Sequence, residues 1–252
     1  MAEDALFQFL LRQGDNALVL AHRLSEWCGH GPMLEEDIAL ANTALDLMGQ
    51  TQMWLGYAAQ VQGEGKSADD LAFLRDVWDF RNLLLVERPN GDFGVTIMRQ
   101  FMFDAMQVPN LEALTQSSDS RVAEIAAKSI KEVRYHLDRS REVVIALGDG
   151  TAESHDRMQA ALDGLWPYVG EMFMGDEVDE AMVGAAIAPA PESLRPSFDA
   201  TISQTMAEAT LRLPDDTFAH RGGRNGQQHS EHLGHMLASM QFLQRAYPNA
   251  RW

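Results

Sequence analysis

Three features of the sequence predict an all-α protein. Nearly every segment carries apolar residues at a 3.6-residue period. No stretch shows the alternation of a half-buried strand, and there is no internal repeat or low-complexity tract. One acid, Asp104, falls inside the apolar face made by Ile97, Phe101, Val108 and Leu111. A carboxylate in that setting is costly unless it is paired, protonated or bound to a metal. The central helices are long enough for a four-helix bundle, and the chain reads as one helical domain. Its bundle core covers about 35–148, with flanking helices over 4–28 and 154–246.

The elements follow in order. Ala5 to Trp27 sets Phe9, Ala17, Leu20, Leu24 and Trp27 on one side, and Gly29-His30-Gly31-Pro32 ends it. Glu35 to Val61 aligns Ile38, Ala41, Leu45, Met48 and Leu55, with Ala44, Leu47, Trp54 and Ala58 on a neighbouring line. An apolar surface that broad predicts a helix buried on most sides. A helix over Ala68 to Glu87 aligns Leu71, Leu74, Trp78 and Leu85 before the turn at Arg88-Pro89-Asn90-Gly91. Gly91 to Thr115 and Asp119 to Leu147 are the next two helices. After Gly148-Asp149-Gly150 comes a helix from Ser154 to Phe173, kinked or restarted at Pro167. A short helix opens within Gly175 to Glu180, 186–191 is a loop, and Glu192 to Leu213 is helical. Asp215 to Gln228 is polar and Gly-rich, and Ser230 to Ala246 closes the chain.

The 252 residues are nearly half apolar, enough for a substantial core. No apolar run reaches the length of a membrane-spanning helix, and the acidic Met1-Ala-Glu-Asp start lacks the basic lead of a signal peptide. Cys28 is the sole cysteine, so there is no disulfide framework. These features place the chain in the cytoplasm. The net charge of −17 argues against nucleic acid and anionic membranes, and leaves a solvated acidic surface or a docking site for a basic partner.

An inward acid on one helix and a Glu on the next raise the question of a di-iron site. Ferritin-like di-iron bundles take a carboxylate from each of two helices and a Glu-x-x-His pair from each of the others, because i and i+3 share a face. Here the helix at 35–61 offers Asp46, in a polar column with Asn42 and Gln50. The helix at 68–87 shows Asp79-x-x-Asn82, with Asn82 where a histidine belongs. The helix at 91–115 offers Asp104. The helix at 119–147 shows Glu132-x-x-Tyr135, and His136 comes one place late, turned by about 100°. Both required histidines are absent. The pattern fits a bundle that lost its metal and kept inward polar residues, rather than a working centre.

Other apparent sites are weaker. His232 and His235 share a face beside His229 and Glu231 and could hold zinc, although the order is not the His-Glu-x-x-His of a zinc protease. The run Arg221-Gly-Gly-Arg-Asn-Gly226 could cradle an anion but lacks P-loop spacing. Cys28 has no basic neighbour to activate it. Trp54, Trp78 and Trp166 are the aromatic candidates for an exposed interface.

Six stretches carry a family resemblance: Arg12-Gln-Gly-Asp-Asn16, His22-Arg-Leu-Ser-Glu-Trp-Cys-Gly-His30, Ala39-Leu-Ala-Asn-Thr-Ala-Leu-Asp-Leu47, Asn82-Leu-Leu-Leu-Val-Glu-Arg-Pro-Asn-Gly91, Lys131-Glu-Val-Arg-Tyr-His136 and Ser230-Glu-His-Leu-Gly234. In these the chain resembles the C subunits of bacterial ring-1,2-phenylacetyl-CoA epoxidases, multicomponent oxygenases of phenylacetate breakdown. The resemblance implies a ferritin-like fold and a heteromeric complex. It also implies that a homologous A subunit holds the di-iron centre and the substrate, while a reductase supplies electrons from NADPH. The expected role is that of a non-catalytic structural subunit with no catalytic, cofactor-binding or metal residues. Iron is then expected only in the partner, and a homodimer forms when the partner is missing. An independent di-iron oxidase with altered ligands and an acyl-CoA carrier using the Gly222–Gly226 loop are the alternatives.

Overall fold

The computed structural model describes residues 2–215 and 218–248, so Met1, two residues of the polar loop and the last four lie outside the described residues. Among the described residues all regular structure is helical. Helices α1 (Ala2–Ser25) and α2 (Leu34–Gln62) are joined by a tight turn. A crossover follows, holding α3 (Ala68–Phe73), a 3₁₀ turn (Val77–Asp79) and α4 (Leu84–Glu87). Then come α5 (Phe93–Leu114) and α6 (Ser120–Gly148). A C-terminal layer contains α7 (Ala152–Leu165), α8 (Glu177–Gly184), α9 (Arg195–Glu208), α10 (Glu231–Met240) and α11 (Phe242–Ala246). Asp92 caps α5 by accepting from Val95 N, and Asp119 caps α6 by accepting from Arg121 N and Val122 N.

The four long helices are α1, α2, α5 and α6, and cross-helix pairs fix their directions. On α2 and α6, Glu36 meets Arg139, Asp46 meets His136, Gln50 meets Glu132 and Tyr57 meets Asp119, so the two run antiparallel. Glu112–Arg134 and Asp104–Ser140 do the same for α5 and α6. Gln13–Asn110 and Trp27–Thr96 do so for α1 and α5. The bundle closes where α1 meets α2 at Gly14, since a Cβ there would lie 2.5 Å from Leu55 Cδ2. Helices α2 and α5 are therefore parallel and linked by the long crossover, which is the ferritin-like connectivity.

Several expectations are corrected. The helix predicted over 68–87 is broken, and α1 is the fourth long helix of the bundle. The break has a chemical cause. Backbone N–H groups that a helix would consume are taken by side chains: Arg81 N donates to Asp15, Leu83 N to Asn16, and Leu84 N to Glu171. Phe80 and Leu83 are extended, at ψ 150° and 145°. Helix α2 is not buried on most sides either. Leu40, Leu47 and Trp54 face the core, while Leu34, Ile38, Leu45 and Met48 are exposed. Of the three tryptophans considered as exposed, Trp54 and Trp166 are core residues and only Trp78 is exposed.

Pro167 restarts the chain as 3₁₀ turns over 166–173, as the sequence predicts. The final helix divides at Gln241, whose buried amide donates to the carbonyls of Ala72 and Arg75 and ties the C-terminal layer to the crossover.

Candidate metal centre

Three of the bundle helices bring together part of the expected set. From α2, Asp46 accepts a hydrogen bond from His136 Nε2 of α6 at 3.0 Å. One turn along, Gln50 Nε2 donates to Glu132 Oε2 at 3.2 Å. From α5, Asp104 is fully buried, with Gln100 Nε2 donating to its Oδ1 at 2.8 Å and Ser140 Oγ 3.4 Å from its Oδ2. Glu132, His136 and Ser140 are four residues apart on one face of α6, so these three pairs occupy successive turns.

Electrostatics decides the protonation states. Burial pushes the Asp104 carboxyl well above its usual range, against the weaker pull of Gln100, Ser140 and Arg139. Burial thus favours the neutral form of Asp104. Ser140 Oγ also lies 3.2 Å from Leu137 O, so its one proton is shared between that carbonyl and Asp104 Oδ2. Burial lowers the His136 pKa, and the neighbouring Asp46 only partly offsets this. The pair is thus a neutral imidazole donating to a carboxylate. Glu132 is also raised, chiefly by burial, with Gln50 pulling it back.

This arrangement does not fit a di-iron centre. Each acid is already engaged within the chain, Asp104 by Gln100 and Ser140, Glu132 by Gln50 and Asp46 by His136. Counting from the Gly14–Leu55 and Gln13–Asn110 contacts, α1 meets this level over Val19 to Arg23, a stretch with no acid, in which Val19, Leu20 and Ala21 are buried and apolar. Among the described residues, no three His, Cys, Asp or Glu side chains group as metal ligands. Buried atoms left unpaired here, Gln100 Oε1, Ser129 Oγ and His136 Nδ1, mark a polar interior only partly satisfied. The pocket between α1 and α5, lined in part by Phe9, Gln13, Met106 and Asn110, holds about 50 Å³. A ligand site takes roughly 300–1,000 Å³, a size reached by the open groove beside Arg221, Gly222 and Arg224, at about 680 Å³.

The remaining expected positions lie elsewhere. Asp79 is exposed and caps the crossover's 3₁₀ turn, accepting from Asp76 N. Asn82 is buried, 2.9 Å from Glu87 Oε1. Tyr135 points outward and is 61% exposed. Of the histidines near the last helix, His229 turns away while His232 and His235 stay on one face. His229 is engaged by Glu87 and Phe80 O, while His232 and His235 line a surface cleft beside His22.

A different polar centre, which no local sequence pattern marks, lies in the crossover. Buried Asp15 accepts from Arg81 N at 2.8 Å and forms an ion pair with Arg75. Buried Glu87 accepts from Asn82, from His229, and from both the backbone and hydroxyl of Ser230. Buried Glu171 accepts from Leu84 N on one oxygen and from Gly222 N, Gly223 N and Arg224 N on the other. The Gly222–Gly226 loop is thus a cradle of N–H groups filled by the chain's own carboxyl; burial raises the Glu171 pKa, and the four backbone donors pull it back. Arg12 reaches Asp176, Asp179 and Arg224 O, and Arg224 reaches Asp179. Burial opposes the charge on Asp176, yet Arg12 and the Asp179 contacts hold it at about 2.

Comparison with known proteins gives this architecture a family. The model of the family described as "Phenylacetic acid catabolic protein" matches residues 1–252. The chain is 49% identical to the C subunit of the 1,2-phenylacetyl-CoA epoxidase of Escherichia coli (strain K12), over 98% of its own length and 99% of that protein. The chain belongs to the phenylacetic acid catabolic protein family. In this member of the family, three of the stretches that carry the sequence resemblance, Arg12–Asn16, Asn82–Gly91 and Ser230–Gly234, serve the crossover centre. Asp46 and His136, from two others, meet in the bundle, at the level where a ferritin-like metal would sit.

Proposed function

We propose that this chain is the non-catalytic structural subunit of a 1,2-phenylacetyl-CoA epoxidase, supporting a separate di-iron catalytic subunit in phenylacetate breakdown. The observation that carries the reading is the state of the bundle centre. Its acids are each held by a side chain of the chain itself, Gln50, Gln100, Ser140 or His136, and its first helix offers no acid at the same level. Oxygen activation in such enzymes is the work of the cofactor, so a chain that cannot assemble ligands for iron does not perform it alone. Near-full-length similarity to a protein named as one component of an epoxidase supports placing the chain inside a complex. No helix among the described residues is long and apolar enough to cross a membrane, and the proposed location is the cytoplasm.

The test is metal analysis of the chain after anaerobic loading with ferrous iron, run beside the complex with its catalytic subunit. The expected outcome is no stoichiometric iron in the chain alone and iron in the complex. Two irons per isolated chain, with an oxo-bridged absorption band, would replace this reading with that of an independent di-iron oxidase.

A further inference from the structure

The outer face of α2 has apolar residues that the fold leaves uncovered. Leu34 is 71% exposed, Ile38 50%, Leu45 68% and Met48 40%. With Ala41 and Gln52 they fall at 34, 38, 41, 45, 48 and 52, alternating steps of four and three. That is the spacing of a helix seam that receives the knobs of another helix. Small residues, Ala41 in the seam and Gly49 beside it, leave room for close approach, and a Cβ at Gly49 would meet nothing within 4 Å. On the opposite side of α2, Leu40, Leu47 and Trp54 already form the core. The helix is therefore apolar on two faces, and one of them faces solvent.

The size of the face argues about its occupant. From Leu34 to Gln52 the seam runs about 27 Å, and at a helix width of about 10 Å it covers about 270 Å². A stable protein interface takes about 800 Å² from each partner. A single docked helix is too small, so the occupant must spread onto α6. There Tyr135 is exposed, with its ring against His136, whose Nε2 meets Asp46 next to Leu45. Lys128 stands exposed on the same helix, close enough to Glu132 to act on its titration. Charge then bears on the choice between a second copy and another chain. Each copy carries −17, so self-pairing brings together two strongly acidic surfaces, whereas a less acidic subunit meets no such repulsion.

We propose that the seam of α2, together with Tyr135 of α6, docks a two-helix face of a different, less acidic helical-bundle subunit, the catalytic one. This rests on the reading of the chain as a subunit of an epoxidase complex. The fold does not depend on these side chains, which point away from the core, so charge can be placed on them without unfolding the bundle.

The experiment compares wild type with Leu45→Glu, Ile38→Glu and a control, Phe242→Glu, at an exposed apolar residue (62%) outside this face. Each is checked for unchanged helicity and thermal midpoint, then titrated against the purified catalytic subunit, with light scattering of each chain alone. The expected result is wild-type and control binding alike, with the seam variants weakened by about 100-fold or more. Seam variants that fold and bind within about threefold of wild type would overturn the assignment of this face and leave the proposed function standing. Wild type that fails to bind the catalytic subunit at all would remove the proposed function, and this inference with it. A wild-type homodimer that Leu45→Glu dissolves, with binding to the catalytic subunit unaffected, would show the occupant to be a second copy and overturn the choice of partner.

Discussion

The bundle centre and the crossover both bury acids, and they treat them in opposite ways. In the crossover, Glu171 receives four backbone N–H groups, Glu87 is held by three residues, and Asp15 has both a backbone donor and a guanidinium. In the bundle centre, burial pushes Asp104 toward its neutral form, and its polar contacts are the side chains of Gln100 and Ser140, with no backbone donor. An acid bonded to backbone donors of distant segments holds topology, because removing it strands every donor. An acid held only by other side chains can be replaced together with its site. The difference teaches that being buried does not make an acid structurally necessary; what decides is which groups it leaves unpaired.

The largest effect tests that contrast directly. Glu171→Ala removes the acceptor for N–H groups of Leu84, Gly222, Gly223 and Arg224. At about 1–3 kcal/mol for each buried donor left unsatisfied, and with water recovering part, a loss of about 4 kcal/mol or more is expected. Urea denaturation followed by circular dichroism measures it. A loss under about 1 kcal/mol would put the two regions on the same footing.

Asp15→Ala should rank next, at about 3–5 kcal/mol, because it leaves the Arg75 guanidinium and Arg81 N without their buried acceptor. Asp15→Asn sharpens the comparison. Asparagine still offers an oxygen to Arg81 N, so it should retain more stability than alanine, and equal midpoints for the two variants would show that only the ion pair matters.

Asp104→Leu, made together with Gln100→Leu so that the Gln100 amide is not left without its acceptor, sits on the other side of the contrast. Near pH 7 it should change stability by no more than about 1 kcal/mol in either direction, since a poorly satisfied polar group is replaced by packing. The pH dependence carries a sign. The folded Asp104 holds its proton well above the ordinary value of 3.8. Between those two values the unfolded chain has released a proton that the folded chain keeps, so this residue costs stability as pH rises. The variant should therefore gain on wild type between about pH 4 and pH 7 in paired urea titrations. Equal differences at both ends would mean that Asp104 ionises normally.

Much of this was legible in the sequence, for identifiable reasons. Periodicity located α1, α2, α5 and α6, because long helices with one apolar face leave a regular mark. The inward placement of Asp104 was legible because an acid stood among Ile97, Phe101, Val108 and Leu111. The crossover was not. Leu71, Leu74, Trp78 and Leu85 keep helical spacing, yet the backbone there bonds to Asp15, Asn16 and Glu171, residues up to 87 positions away that no local pattern reveals. The exposed seam of α2 was misread for a related reason. Periodicity reports that a face is apolar and demands cover, without saying whether the cover is in the same chain.

The smallest expected effect concerns the Asp46–His136 pair, and there the sign matters more than the size. Asp46 is 38% exposed on its side chain, so its contribution is that of a partly screened hydrogen bond, about 0.5–1 kcal/mol at most. Asp46→Asn keeps an acceptor for His136 Nε2 and should be nearly neutral. Two descriptions of the pair then predict opposite pH behaviour. If it were an ion pair, the folded histidine would bind its proton more tightly than the unfolded one, and stability would rise as pH falls. Burial instead lowers the His136 pKa below the ordinary 6.5. As pH falls below that value the unfolded chain takes up a proton that the folded chain refuses, so stability is lost on the acid side. His136→Gln removes the titrating group and should reduce that loss, so that its midpoint approaches or passes the wild-type midpoint between about pH 7 and pH 5. A variant that instead falls further behind wild type over the same interval would establish a charged histidine in the bundle. The bundle centre would then be bound by charge as the crossover is, and the distinction between the two regions would narrow to their backbone donors.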